Sequence, residues 1–211
     1  MKGQFITFEG SEGSGKSTQI AFVYDYLKAN GLPVVVVREP GGVKIAENIR
    51  KILLDVENQE MTDEAETLLY MAARAQLVHE VIEPMLKQGK IILCDRFLDS
   101  TFVYQGFGNG VDLKFIKSVG TFATRGIKPH LTFLFDIDTK KGLSRTNAKK
   151  DRIELRSLEY HNRVRRGYLT LAKQEPKRIK VIKVDADKEV IFKRVKGHID
   201  GLFKRKISPS T

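Results

Sequence analysis

Apolar residues along the chain alternate between two periodicities. Short unbroken runs are separated by longer stretches in which apolar positions recur every three to four residues. Five runs read as strands: residues 4–9, 34–37, 91–95, 131–136 and 179–184. After the first run, Ile20, Val23, Tyr24 and Leu27 share one helical face, and Asn30-Gly31 supplies a stop. Residues 45–54 read as a helix. A longer one opens at Thr62, its cap, and runs to about residue 88, with Pro84 as a kink or a break. Residues 113–124, 158–172 and 190–203 read as further helices. Another helix starts at Lys140 and loses its pattern around 147–152. The four consecutive valines at 34–37 predict a buried strand. Strands alternating with helices throughout predict an α/β fold, a three-layer α/β/α sandwich on a five-stranded parallel sheet. At 211 residues this is a single domain, 1–211.

The junction of the first strand and helix changes the picture from architecture to chemistry. It reads Gly10-Ser11-Glu12-Gly13-Ser14-Gly15-Lys16-Ser17, a complete G-x-x-x-x-G-K-[ST] phosphate loop in the strand–loop–helix setting the motif requires. Glycines let successive backbone N–H groups turn inward toward phosphate oxygens, and the helix N-terminus adds its positive end. Lys16 would reach the β- and γ-phosphates, and the Ser17 hydroxyl would hold Mg²⁺. The expected fold is therefore that of a P-loop NTPase. Asp95 ends an apolar strand, as an acid acting on the metal directly or through water should, with Arg96 beside it for anionic phosphate.

Charge refines this. The net charge is +11, and residues 140–183 carry 15 basic against 4 acidic side chains. Such a patch serves nucleic acid, polyphosphate or merely solvation. Residues 140–166 are basic and interrupted, which suits a mobile lid, centred near 146–157, that closes over phosphates. Within the break, Arg152 is the expected catalytic arginine. Lys149 and Lys150 read as solvent-facing. The four histidines show no metal-ligand spacing, and Phe102, Phe107, Phe115 and Phe122 read as core. A single cysteine, Cys94, in an apolar run excludes an internal disulfide. With no signal-peptide pattern and no apolar run of membrane-spanning length, a cytoplasmic setting and no membrane partner are expected.

Two other nucleotide-using classes fit less well. A GTPase should carry Asn-Lys-x-Asp, which is absent. A nucleic-acid-linked ATPase would stack bases on aromatics along the basic stretch, which has only Tyr160 and Tyr168, so no nucleic-acid partner is expected. A small phosphotransferase with a lid fits better.

Further motifs carry a family likeness. They are the phosphate loop with Phe8-Glu9 before it, Arg38-Glu39-Pro40-Gly41-Gly42, Ala72-Ala73-Arg74-Ala75-Gln76, Asp95-Arg96-Phe97 with Tyr104-Gln105-Gly106, and Asp151-Arg152-Ile153-Glu154. Together they resemble the thymidylate kinases, nucleoside monophosphate kinases of the P-loop superfamily, over nearly the whole chain. The resemblance implies γ-phosphoryl transfer from ATP to dTMP with Mg²⁺, and a homodimer. It implies ATP on residues 10–18, Thr18 included, with Arg145 near the adenine. It places Glu12 at the deoxyribose 3′-hydroxyl, Arg38, Arg50 and Arg96 around the acceptor phosphate, and Glu39 and Pro40 among the dTMP-binding residues. Tyr70 would stack on thymine, Arg74 and Gln105 would meet its edge with Ser100 nearby, and Tyr104 would disfavour a 2′-hydroxyl. Pro40 matches a proline that often follows a cis bond. The family places its catalytic arginine either in the loop, at the position of Gly13, or in the lid. With Gly13 and Arg152, this chain resembles the lid type. A P-loop kinase for another nucleotide and, at greater distance, a nucleic-acid-linked ATPase stay open as alternatives.

Overall fold

A computed structural model describes residues 3–146 and 150–203. Each apolar run becomes a strand: β1 Gln4–Gly10, β2 Val34–Arg38, β3 Ile91–Asp95, β4 Leu131–Asp136 and β5 Ile179–Lys183. They form one parallel sheet in the order β2-β3-β1-β4-β5. The chain order reverses beside β1, so its carboxyl end opens into the crevice where such sheets bind ligands. In register there, Asp95 pairs with Phe8 of β1 and with Arg38 of β2.

Side chains of β1 alternate between two cores. Ile6 and Phe8 pack with Val23 and Leu27 of α1 (Lys16–Ala29) and with Val195 and Ile199 of α9 (Lys188–Leu202). Phe5 faces the other way, into a cluster with Leu77, Ile82 and Phe97. Burying one such phenylalanine stabilises the fold by roughly 1.5–3 kcal/mol. On that second face Thr7 and Thr132 satisfy each other at 2.7 Å, so these two buried hydroxyls are not left unpaired.

The other helices are α2 Lys44–Leu54, α3 Asp63–Leu77, α4 Glu83–Lys87, α5 Leu98–Thr101, α6 Leu113–Thr124, α7 Thr139–Leu143 and α8 Leu158–Gln174. Thr62 caps α3 as expected, its Oγ1 accepting from Ala65 N–H at 3.2 Å. The long helix neither breaks nor simply kinks at Pro84. It widens into a π turn at Val78–Ile82, and Pro84 falls in the first turn of α4, where a missing N–H costs little. A second π turn, Phe102–Gly108, continues α5 through the aromatic and Gly-rich segment.

Two expectations are corrected. The strand of four valines is an edge strand: only Val37 is buried and Val36 is 44% exposed, because no strand lies beyond β2. Phe115 and Phe122 of α6 are not core. Phe122 is 84% exposed, since the face it occupies has no neighbour within the chain. Cys94 is buried as expected. Between α7 and α8, residues 150–157 run as turns, while residues 147–149 of the expected lid and the basic tail 204–211 lie outside the described residues. No described helix is long and apolar enough to cross a membrane.

Candidate active site

The phosphate loop closes in the way its glycines dictate. Gly13 and Gly15 stand at φ 65° and 82°, in the left-handed region where a side chain is strained. Gly13 is confined twice over, because a Cβ there would lie 2.0 Å from the Gly142 carbonyl oxygen of α7. A loop arginine therefore has no room in this structure. Lys16 curls back so that Nζ donates to the carbonyls of Gly10 (3.2 Å) and Ser11 (3.1 Å) and to Ser14 Oγ (3.4 Å). Burial and the neighbouring Arg96 push its ammonium below the ordinary value, against the pull of Glu12, Asp95 and Glu9. The lysine is thus a poorly hydrated cation held by backbone carbonyls.

Ser17 Oγ donates to Asp95 Oδ2 at 3.1 Å. No group of three or more His, Cys, Asp or Glu residues suited to a metal exists among the described residues. One hydroxyl and one carboxylate fit a cation held mainly by phosphates and water, which is how Mg²⁺ is usually bound at such loops.

Arg96 follows Asp95 at the sheet edge with φ 67°, a conformation costing a residue with a Cβ roughly 1–2 kcal/mol. The turn is held because Arg96 N–H donates to Phe8 O at 3.0 Å and Phe97 N–H to Glu9 Oε1 at 2.8 Å. Its guanidinium donates to Glu12 Oε1 (2.7 Å), Gly10 O (3.0 Å) and the Tyr168 hydroxyl (3.2 Å), and lies 5.0 Å from the Tyr104 ring centre. Tyr104 donates to the same Glu12 oxygen at 2.9 Å. Burial would raise the Glu12 carboxyl, but Arg96, Lys16 and that hydroxyl together hold it at about 2.

Beside the loop lies a cavity walled by Glu12, Arg96, Tyr104, Tyr70, Arg74, Ser100, Gln105, Glu39, Pro40 and Arg50. Arg74 is buried and its Nε meets Glu39 at 2.7 Å. Burial raises the Glu39 carboxyl to about 7 despite that partner. The Glu39–Pro40 bond is cis, as the resemblance implied. Arg50 donates to Pro40 O at 2.9 Å, and Arg38 grips Glu47 with two bonds of 2.9 and 3.0 Å. A second, open cavity over the phosphate loop shares Glu12, Glu39, Arg50 and Arg96 with the first and adds Arg38, Asp95 and Arg145. A third shares Ser14, Gly15, Thr18 and Arg145 with the second and runs on to Gln19, Ala186 and Lys188. The three make one trough along the carboxyl end of the sheet.

Arg152 is not part of that trough. Its guanidinium is buried, with Nε donating to Leu53 O at 2.9 Å and Nη2 to Glu66 at 2.5 Å. The expected lid arginine is here the partner of a buried acid, while its neighbours Asp151 and Ile153 line the first cavity. Sequence reasoning missed three residues that organise the site. Glu9, buried under Arg96, accepts from Phe97 N–H, Ser100 Oγ (2.6 Å) and the Tyr168 hydroxyl (2.9 Å), and burial, with Asp99 nearby, raises it to about 7. Glu66 and Tyr168 are the other two. The Phe-Glu-Gly run before the loop was a signal for Glu9. Nothing local marked Tyr168, 159 residues away.

Comparisons with known proteins identify the family. The family model described as Thymidylate kinase matches residues 8–195. The thymidylate kinase of Kosmotoga olearia is 48% identical over 193 residues, covering 90% of this chain and 92% of that protein. That of Symbiobacterium thermophilum is 44% identical over 203 residues, covering 96% and 95%. The crystal structure of thymidylate kinase from Ehrlichia chaffeensis superposes with a TM-score of 0.79 at 32% identity, covering 94% of this chain and 100% of that one.

Proposed function

The chain belongs to the thymidylate kinase family and phosphorylates dTMP to dTDP; from the trough geometry we infer how its residues divide that work. The observation that carries the reading is the shared wall. Arg96, Glu12, Glu39 and Arg50 face both the acceptor cavity and the phosphate-loop cavity, so an acceptor monophosphate and a donor triphosphate would meet there. ATP would lie over Gly10 to Thr18, with its base toward Arg145, Ala186 and Lys188. Tyr70 would stack on thymine, Arg74 and Gln105 would meet its edge, and Glu12 would accept from the sugar hydroxyl beside Tyr104; that all of them line one cavity supports this.

An oxygen of the acceptor phosphate attacks the γ-phosphorus in line, and the bond to the β–γ bridging oxygen breaks to release ADP. No covalent intermediate is needed, so catalysis is positioning and charge neutralisation. Lys16 and Arg96 are the cations already in place, and Arg145, which lines the phosphate cavity, is the further one. Arg152 would have to leave Glu66 to join them. Mg²⁺ held near Ser17 and Asp95 would neutralise charge on the β- and γ-phosphates.

We also read the protein as a cytoplasmic homodimer. Leu68, Leu113, Phe115 and Phe122 leave an apolar face exposed on α3 and α6, and a self-complementary contact there suits a two-fold dimer. A Phe122→Lys variant should elute as a monomer in light-scattering chromatography. A wild type that is already monomeric would overturn the reading. For the reaction, ADP release is followed with dTMP, dUMP, UMP, dCMP and AMP as acceptors. Stimulation by DNA or RNA but not by dTMP would refute it.

A further inference from the structure

We propose that Glu66 is a positioning residue for base recognition: one of its oxygens sets which way round the Gln105 amide stands, and the other fastens the lid arginines to the same point. The proposal rests on the dTMP reading and deepens it.

Glu66 lies on α3 and is wholly buried. Its carboxylate collects four donors. Oε1 accepts from Gln105 Nε2 (2.8 Å) and Asn109 Nδ2 (3.2 Å), and Oε2 from Arg152 (2.5 Å) and Arg156 (2.8 Å). Asn109 in turn accepts from Arg156, which closes the network. Ionised carboxylate oxygens only accept, so Gln105 must offer them its NH₂ group. The group of Gln105 left for the acceptor cavity is therefore its carbonyl oxygen.

Arg74 stands in the same cavity. A guanidinium has five N–H groups. Here Nε serves Glu39, Nη1 serves Met71 Sδ and Thr101 Oγ1, and Nη2 serves Phe97 O. One N–H of Nη2 is left over. Between them, Arg74 thus turns a donor toward a base in this cavity and Gln105 an acceptor. A thymine edge answers both, with a carbonyl beside the N3–H. A cytosine edge has the opposite polarity at those atoms, an amino group beside a bare nitrogen. Holding the amide in one orientation makes the difference count, because a flipped amide would offer cytosine a donor. The fourfold grip on Glu66 is what prevents the flip. It also means that the 150–157 segment docks on the residue that orients the base reader.

The test compares kcat/KM for dTMP, dUMP and dCMP in the wild type, Glu66→Gln, Gln105→Leu and the double variant. Glu66→Gln should narrow the preference for dTMP over dCMP about tenfold or more, the effect of one mismatched hydrogen bond. dUMP, with the same imide, should follow dTMP. In the Gln105→Leu background the Glu66 substitution should no longer change the ratio. Proportional losses for all three acceptors, or a ratio change that persists without Gln105, would show a merely structural role and overturn the proposal. Should Glu66→Gln fail to fold, Gln105→Leu alone decides, since it leaves Glu66 and both arginines in place. It should lower kcat/KM for dTMP and spare dCMP, and equal losses would refute the idea. A wild type inactive on dTMP would instead sink the underlying reading, and with it this one.

Discussion

Replacing Arg152 with alanine separates two jobs that a basic residue in this segment can do. As a charge carrier on the transferring phosphoryl group, it would behave like an arginine finger, and its loss would cost about 1,000-fold or more in kcat while leaving the fold intact. As the buried partner of Glu66, it would behave differently. Its guanidinium is 5% exposed, bound to Glu66 at 2.5 Å and to Leu53 O at 2.9 Å. Removing one member of a buried pair costs about 3–5 kcal/mol. Arg156 stays on the same carboxylate oxygen at 2.8 Å, so the lower end, about 3 kcal/mol, is expected. For a chain of this length that lowers the melting temperature by roughly 6–12 °C. The assay pairs a calorimetric melt with initial rates at saturating ATP. The expected result is a clear fall in melting temperature, a raised KM for dTMP, and a kcat that falls less than in Arg145→Ala. A kcat reduced about 1,000-fold at an unchanged melting temperature would refute the reasoning and return Arg152 to the phosphates.

Three further outcomes follow from the same geometry. Lys16→Ala should lower kcat about 100-fold or more while KM for dTMP stays within a few-fold, since the lysine serves the donor loop; equal loss of dTMP affinity would count against that role. Gly142→Ala puts a Cβ 2.5 Å from the Glu12 carbonyl oxygen, so the loop must shift, at about 1–3 kcal/mol, and KM for ATP should rise; wild-type melting and ATP affinity would contradict it. Glu9 and Glu39 are both raised from an ordinary 4.5 to about 7, so between those values the folded state holds more protons than the unfolded chain, and stability falls as pH rises through that window. Urea midpoints at pH 5 and pH 8 should differ in that direction, by up to about 3 kcal/mol per group, and by less in Glu39→Gln. Glu12, held at about 2, acts with the opposite sign and only below 4.5.

What could be read in advance was what is contiguous. The phosphate loop is eight consecutive residues whose chemistry constrains one another, so its strand, turn and helix stand where the pattern put them. The ends of α6 and β4 follow from periodicity in the same way. The sheet order could not be read, and with it went the burial of β2, because four valines look alike whether or not a sixth strand covers them. Phe122 has helical spacing with apolar neighbours, yet the pattern carries no information on whether a partner face exists inside the chain. Glu66 looked like one acid among several in the first turns of a helix. Its partners lie 39 to 90 residues onward, and only the packing of α3 against the π turn and the 150–157 segment makes it a hub. The contact of Arg152 with Glu66 was illegible for the same reason: a basic residue in a break of pattern can turn toward phosphate or toward a buried acid, and local sequence does not distinguish the two.

The contact between Gly13 and Gly142 bears on which side chains the loop can accept. Glu12 and Gly13 rest on α7 with no side chain between the two backbones, and the approach is blocked from both sides: a Cβ on Gly13 meets Gly142 O, and a Cβ on Gly142 meets Glu12 O. An arginine written into the loop would therefore arrive before there was space for it. In this structure an arginine at position 13 requires α7 to retract, which removes the backbone support that Gly142 gives the loop.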